Sequence, residues 1–313
     1  MPAGSPAAVP SPFQPPAAGD RYGAGIACQL VAVLLFTVMG SLIKALGEQY
    51  STAQIVFFRS LPALLPLLLY LPSQGGWSAL RTRRPALQAL RAGAGLASMF
   101  AGFHALAHML FADYVAISFT APLFGTLLSI PLLGERVGIW RFGACCVGFT
   151  GILVMVGPTG AAFDLYTGLA IASAFLYGLV MVAMRRLGGV DNSAATVFYF
   201  TVTGAIVGGA IAAFDWVTPP LADLLPLAAI GVLGGIAQIF MTQAFRLAPP
   251  SVVAPFDYSA MIWALAIGWF AFGGFPSTQA LAGAAIICAA GLFILYRETV
   301  RGVRKPPVKR SSL

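Results

Sequence analysis

Few residues of this chain could do chemistry, and they stand out because they are polar inside long apolar runs. Lys44, Arg59 and Asp257 are charges within such runs, joined by the titratable pair His104 and His108. A charge held away from water needs a partner or a ligand. Arg59 offers a planar guanidinium that could hold a carboxylate or a phosphate, or could instead bind helix carbonyls. Asp257 could bind a cationic group, take up a proton, or hydrogen-bond backbone freed beside Pro255. Lys44 lies within a turn of the end of its run, where the side chain can reach outward to water. His104 and His108, at i and i+4, share one helical face with zinc-ligand spacing. No nearby carboxylate or cysteine completes a metal set, so they read as cavity lining, titrating where proton coupling would be open to them. Gln238 and Gln243 are costly in lipid and should face protein or water. Tyr177, Phe256, Tyr258 and Trp263 could stack on a planar or amphipathic molecule, or simply pack. The candidate binding set is Arg59, His104, Tyr177, Gln238, Asp257, Tyr258 and Trp263, with no catalytic, cofactor or metal residues.

The elements that must position these residues follow from composition. Of 313 residues, 59% are hydrophobic and 9% charged, against roughly 25% charged in a soluble domain. So little charge cannot make a water-facing surface, and lipid must be the solvent for most of it. Apolar runs near the length of a membrane span recur at about 24–46, 53–72, 88–110, 114–133, 139–157, 166–186, 194–213, 225–245, 251–272 and 278–296. Pro and Gly fill the connectors, as at Pro72–Gly76, Gly157–Gly160, Pro219-Pro220 and Pro249-Pro250. Pro122 and Pro255 are expected to break regular helix inside their runs. Residues 1–23, rich in Pro and Ala, lack the basic and apolar regions of a signal peptide and are expected to be a disordered cytoplasmic tail; 298–313 form a basic one. The cysteines, Cys28, Cys145, Cys146 and Cys288, lie in apolar runs without metal spacing and read as packing residues.

The basic residues set an orientation. With the N-terminus inside, sixteen of the eighteen Lys and Arg fall on one side: Arg21, those around 81–91, 136–141, 185–186 and 246, and the tail from Arg297. The opposite connectors hold none but carry Glu48, Asp113, Asp164, Asp215 and Asp223. Both termini are then cytoplasmic, and the net charge of +8 is an orientation signal with a pull toward anionic lipid. A nucleic-acid partner is not implied. Arg59 and Asp257 enter from opposite faces, which argues against a direct ion pair between them.

Weak internal identity suggests a duplication. A shift of 141 pairs Lys44 with Arg185; a shift of 139 pairs Ala105 with Ala244, Ala121 with Ala260 and Gly134 with Gly273; a shift of 140 pairs Gly143 with Gly283. A five-helix unit that starts inside ends outside, so its copy must be inverted, an arrangement that places a solute site near the midplane.

Four stretches resemble the EamA-type drug/metabolite transporters: "QIVFFRS" at 54–60, "ADYVAISFTAPLFGTLLSIPLLGERV" at 112–137, "GFTGILVMVGP" at 148–158 and "AFRLAPPSVVAPFDYSAMIWA" at 244–264. The resemblance covers residues 24–297. It implies an all-α integral membrane protein of ten helices in two inverted repeats, 24–157 and 166–297, with a central cavity opened alternately to each side and no ATP hydrolysis. It implies a bacterial inner-membrane carrier of a small organic solute, contacting lipid and working as a monomer or homodimer without a cofactor. One departure stands out: the family usually has an acidic residue after the Gly that closes the ninth helix, as at Gly134-Glu135, and this chain has Gly274.

Export of an amino-acid-like or amphiphilic metabolite is the expectation, with uptake of a vitamin or cofactor such as riboflavin or S-adenosylmethionine as the alternative; relatives with similar "APFDYS" stretches are thought to carry these. An intramembrane enzyme is disfavoured because HExxH, GxSxG and paired intramembrane Asp are all missing. A structural or sensory role has no added soluble domain to support it.

Overall fold

The computed structural model describes residues 22–134, 137–156, 164–187, 191–248 and 253–300. Residues 22–23 and 298–300 of the expected tails belong to helices; the rest of both tails lies outside the described residues, as do Glu135 and Arg136. Among the described residues there is helix and no strand, as expected of backbone that must satisfy its own hydrogen bonds in lipid.

The helices of the described residues follow one another as α1 (Tyr22–Leu46), α2 (Thr52–Ser60), α3 (Leu64–Tyr70), α4 (Pro85–His108), α5 (Phe111–Ser118), α6 (Ala121–Leu133), α7 (Ile139–Val156), α8 (Leu165–Leu187), α9 (Ser193–Ala212), α10 (Leu221–Leu247), α11 (Ala260–Phe272) and α12 (Thr278–Val300). Local chemistry sets several ends. Ser51 caps α2 by accepting from the Gln54 amide, and Asn192 caps α9 by accepting from the Ala194 amide at 2.9 Å. Pro85 opens α4 at the first position, where a missing N–H costs nothing. Gly134 and Gly273 close α6 and α11 in the left-handed conformation, at φ +66° and +64°.

Among the described residues seven helical stretches are long and apolar enough to cross a membrane: Tyr22–Leu46, Thr52–Gln74, Phe111–Leu133, Leu165–Met184, Ala194–Ala212, Leu221–Ala244 and Thr278–Arg297, with Ile139–Met155 a shorter apolar helix. Large apolar side chains stand outward on them, among them Leu69, Ile206, Leu221 and Leu225. This is the surface of a chain whose solvent is hydrocarbon rather than water.

Two of these passages, and the shorter one that ends in α11, are not continuous helix. Pro62 separates α2 from α3, the turn at Phe119-Thr120 separates α5 from α6, and a 3-10 stretch over Ala254–Ser259 leads into α11. The last two breaks fall beside Pro122 and Pro255, as expected from a ring that cannot continue the hydrogen-bond ladder. Helices pack in pairs: α1 on α10, α4 on α8, α7 on α12, α2 on α9 and α5 on α11. The main core lies where these pairs meet, with Ile43, Ile55, Leu106, Ile152, Ile230 and Ile287 all buried.

Polar contacts tie the connectors at each end. At one end the Tyr50 hydroxyl donates to Asp223 at 2.5 Å, which pushes the phenol up to about 12, and Gln54 donates to the Val217 carbonyl at 2.7 Å. At the other, Asp191 accepts from the Thr82 hydroxyl at 2.5 Å, the Arg83 amide at 3.0 Å and Gln88 Nε2 at 2.9 Å. Partial burial pushes the Asp191 carboxyl up, and these hydrogen bonds outweigh it, leaving the group below its ordinary range.

Candidate functional site

The broken passages carry the charges. Arg59 occupies the last turn of α2, just before the Pro62 break, and is 6% exposed. A cation suits this place because the helix end is the negative pole of its dipole. Gly234 of α10 packs beside it: a Cβ there would sit 3.6 Å from Arg59 Nε, an ordinary contact, and 2.8 Å from Met39 Sδ. One turn further along α10, Gln238 lines the same small cavity, as do Phe200 and Thr201 of α9.

A second guanidinium lines that cavity, and sequence reasoning missed it. Arg91 was expected among the connector charges, on the reading that the third apolar run starts near 88. The helix instead begins at Pro85, which carries Arg91 into its second turn and buries it at 7% exposure. Its Nε and Nη1 are buried without a hydrogen-bond partner. Both arginines lie over the Phe200 ring, with guanidinium carbons 5.6 Å (Arg59) and 4.3 Å (Arg91) from its centroid. The free volume among them is about 10 Å³, the threshold for one water.

The negative charge comes from the 3-10 stretch. Asp257 accepts a hydrogen bond at Oδ1 from Gln29 Nε2, an amide of α1 that is itself 2% exposed and leaves its Oε1 without a partner. Tyr177 lies on α8, half exposed. Tyr258 follows Asp257 and packs against Phe119 in a tilted arrangement, ring centroids 4.9 Å apart, so the breaks before α6 and α11 meet. Its hydroxyl lies where a Cβ on Gly291 of α12 would be, so glycine is required for that approach.

The structure therefore brings Arg59 and Gln238 to one cavity and keeps Asp257 and Tyr258 together on the 3-10 stretch. Two expected members stand apart. His104 hydrogen-bonds Thr52 through Nδ1 at 3.1 Å and packs against His108, whose ring stacks on Tyr166 at 4.5 Å. It borders a separate, open and apolar groove of about 720 Å³ along α4 and α9. Trp263 stands beside Ile262 on the exposed face of α11 and has no described contact with the charged cluster. Gln243 reaches Tyr70 at 2.8 Å and so ties α10 to α3. Lys44 turns inward rather than to water: its Nζ donates to the Met109 carbonyl at 2.6 Å, past the end of α4, and lies over Phe272. Among the described residues no group of three His, Cys, Asp or Glu could hold a metal ion. Gly274, where an acidic residue was expected, packs so near Leu110 that a Cβ would sit 2.9 Å from its side chain.

Comparison with known proteins decides the family. The model of the EamA-like transporter family matches this chain twice, over residues 23–157 and 165–296. The chain belongs to the EamA-like transporter family. Similar curated proteins span nearly the same length. The S-adenosylmethionine uptake transporter of Rickettsia prowazekii (strain Madrid E) is 28% identical over 281 residues, 88% of this chain and 94% of that one. The pseudopaline exporter CntI of Pseudomonas aeruginosa (strain UCBPP-PA14) is 29% identical over 273 residues, 87% of this chain and 95% of that one. One solved structure, 21% identical, superposes with a TM-score of 0.61 over 88% of this chain and 99% of its own, which shows a shared fold. This EamA-family chain is thus a multi-pass membrane transporter, and its family and relatives are transporters rather than enzymes.

Proposed function

We propose that this chain is a ten-helix secondary transporter that moves a small organic solute across the bacterial inner membrane by alternating access, with both termini in the cytoplasm. The three passages beyond the seven long spans are α4, α7 and the 3-10 stretch with α11. Two inverted five-helix repeats, 24–157 and 166–297, are supported by three independent features. The family model matches two segments of nearly equal length. Shifting α6 (Ala121–Leu133) by 139 residues gives the bounds of α11 (Ala260–Phe272), each preceded by a break and followed by a left-handed glycine. Exchanging each passage with its counterpart in the other half also maps the helix pairs onto themselves, α1 on α10 becoming α8 on α4.

The observation that carries the site assignment is the charged cluster. Arg59 and Arg91 come from the first half and Asp257 from the second, and helix breaks fall beside Arg59 and at Asp257. Discontinuous helices at a repeat interface supply exactly the polar backbone that a midplane solute site needs. Guanidinium would hold a carboxylate and Asp257 an amino or other cationic group, so the cargo is amino-acid-like. Asp257 is also the side chain placed to take up a coupling proton.

Export is the favoured direction. Uptake of a cofactor such as S-adenosylmethionine is the second reading, favoured by the Rickettsia relatives. Paired mass spectrometry of cell contents and spent medium, with the gene deleted and overexpressed, separates them. A compound retained inside the deletion strain and lost from its medium identifies an export cargo. One left in the medium and depleted inside establishes uptake and removes the export reading.

A further inference from the structure

We infer that the small cavity between Arg59 and Arg91 is an anion site that holds one chloride ion in the resting protein. The ion is distinct from the cargo of the proposed function, and the site needs no contact with Asp257.

Both guanidiniums belong to residues more than nine-tenths buried, and both line the same cavity. Arg91 keeps Nε and Nη1 buried without a hydrogen-bond partner. Among the described residues that line the cavity none is acidic. Two cations therefore share a buried space whose own walls supply no counter-charge. Buried charge without a partner is among the costliest features a protein can keep, so the missing partner is to be sought in an occupant that accepts hydrogen bonds and carries negative charge. The rest of the polar lining suits the same occupant. Thr201 brings a hydroxyl and Gln238 a side-chain amide, and each can donate to an anion. Phe200 lies against both guanidiniums and so fixes where their donors stand.

Size selects among anions. The free volume is about 10 Å³, room for one water. A phosphate or a whole organic acid does not fit that space, whereas chloride is little larger than a water molecule. A water would satisfy the free donors of Arg91 and still leave two positive charges uncompensated. Chloride answers both needs, as the acceptor of charge-assisted hydrogen bonds and as a counter-ion. A cargo carboxylate that engages Arg59 would replace it.

The test uses full-length protein in phosphatidylcholine nanodiscs without cargo, with sodium gluconate exchanged stepwise for sodium chloride at constant ionic strength. Wild type should take up one radiolabelled chloride per chain, displaced by bromide and not by gluconate. Its thermal midpoint should rise by several degrees as the site fills. Arg91→Met removes the unpartnered donors and one charge, and it should bind chloride roughly tenfold or more weakly. Its basic tail is unchanged, so chloride uptake that persists undiminished in this variant is surface binding and overturns the proposal. Should Arg91→Met fail to fold, Thr201→Val, which removes one donor and keeps the shape, should weaken chloride binding about threefold or more; unchanged binding would place the ion elsewhere. Wild type that takes up no chloride, as it would if a water filled the cavity, also overturns the proposal. Displacement by gluconate as readily as by bromide would overturn the monatomic assignment. If chloride binding fails while Arg59→Ala and Asp257→Ala still abolish cargo movement in cells, the solute-site reading stands and only the ion site falls.

Discussion

Replacing Arg91 by Met should make the resting protein more stable while impairing transport. The guanidinium carbons of Arg59 and Arg91 lie 5.6 and 4.3 Å from one ring centroid, so the two distances laid end to end cap their separation at about 10 Å. At an effective dielectric constant near 20, two like charges at that distance repel by about 1.7 kcal/mol, and more if they are closer. Arg91 also keeps two buried donors without partners, each a penalty of about 1–3 kcal/mol. Against this stands the loss of its stacking on Phe200, about 2 kcal/mol at most for a desolvated cation. Methionine fills most of the same volume with an adaptable apolar chain. Relief outweighs loss, and the net gain is about 2–6 kcal/mol, which raises the thermal midpoint by several degrees. The assay is thermal unfolding of purified wild type and Arg91→Met in the same detergent, with no solute added. A midpoint that falls by several degrees would refute the reasoning, because it would mean that Arg91 holds the resting fold together rather than waiting for a ligand.

Two further predictions concern the frame around the site. The Asp191 clasp joins the α3–α4 connector to the start of α9, and its carboxyl is held below the ordinary range. A carboxylate with a depressed folded-state pKa stabilises above its unfolded value, near 3.9, and loses that contribution as pH falls through the folded one. Wild type should therefore lose stability relative to Asp191→Asn as pH falls below about 5 and on through the folded-state value, seen as converging thermal midpoints; parallel midpoints over that fall would exclude the clasp. Gly291→Ala puts a methyl where the Tyr258 hydroxyl lies. It should cost about 1–3 kcal/mol through overpacking and separate Tyr258 from Phe119. Adding Tyr258→Phe should recover part of the loss in thermal midpoint, and no recovery would place the clash elsewhere.

What the sequence disclosed and what it hid divide along physical lines. Lipid exposure leaves a compositional mark, so the all-helical membrane class and the breaks at Pro122 and Pro255 were legible from apolar runs and proline chemistry. Arg59 and Asp257 were legible because a charge in an apolar run is anomalous. Arg91 was not, because it lies near the end of its run where a charge is ordinary; Pro85, a favoured first helical residue, was the signal that could have placed it inside. Gln29 sits in the middle of the first apolar run and could have been singled out as Gln238 was. Nothing in the sequence separates Phe200 from the other 22 of the 23 phenylalanines, since its role depends on which helices meet there. His104 and Trp263 had suitable chemistry at suitable depth, but their helix faces point away from the cluster, and a single sequence does not fix the rotation of a helix in a bundle.

The most direct test of the central claim, that the solute is held between the halves at Arg59 and Asp257, is cargo movement by variants that reach the membrane. Cells lacking the gene would express wild type, Arg59→Ala or Asp257→Ala at matched membrane levels, and the contents and medium of each would be compared by mass spectrometry. The account predicts that the compound redistributed by wild type stays where the deletion strain leaves it in both variants. If both variants redistribute it as wild type does, the solute site lies elsewhere in this chain.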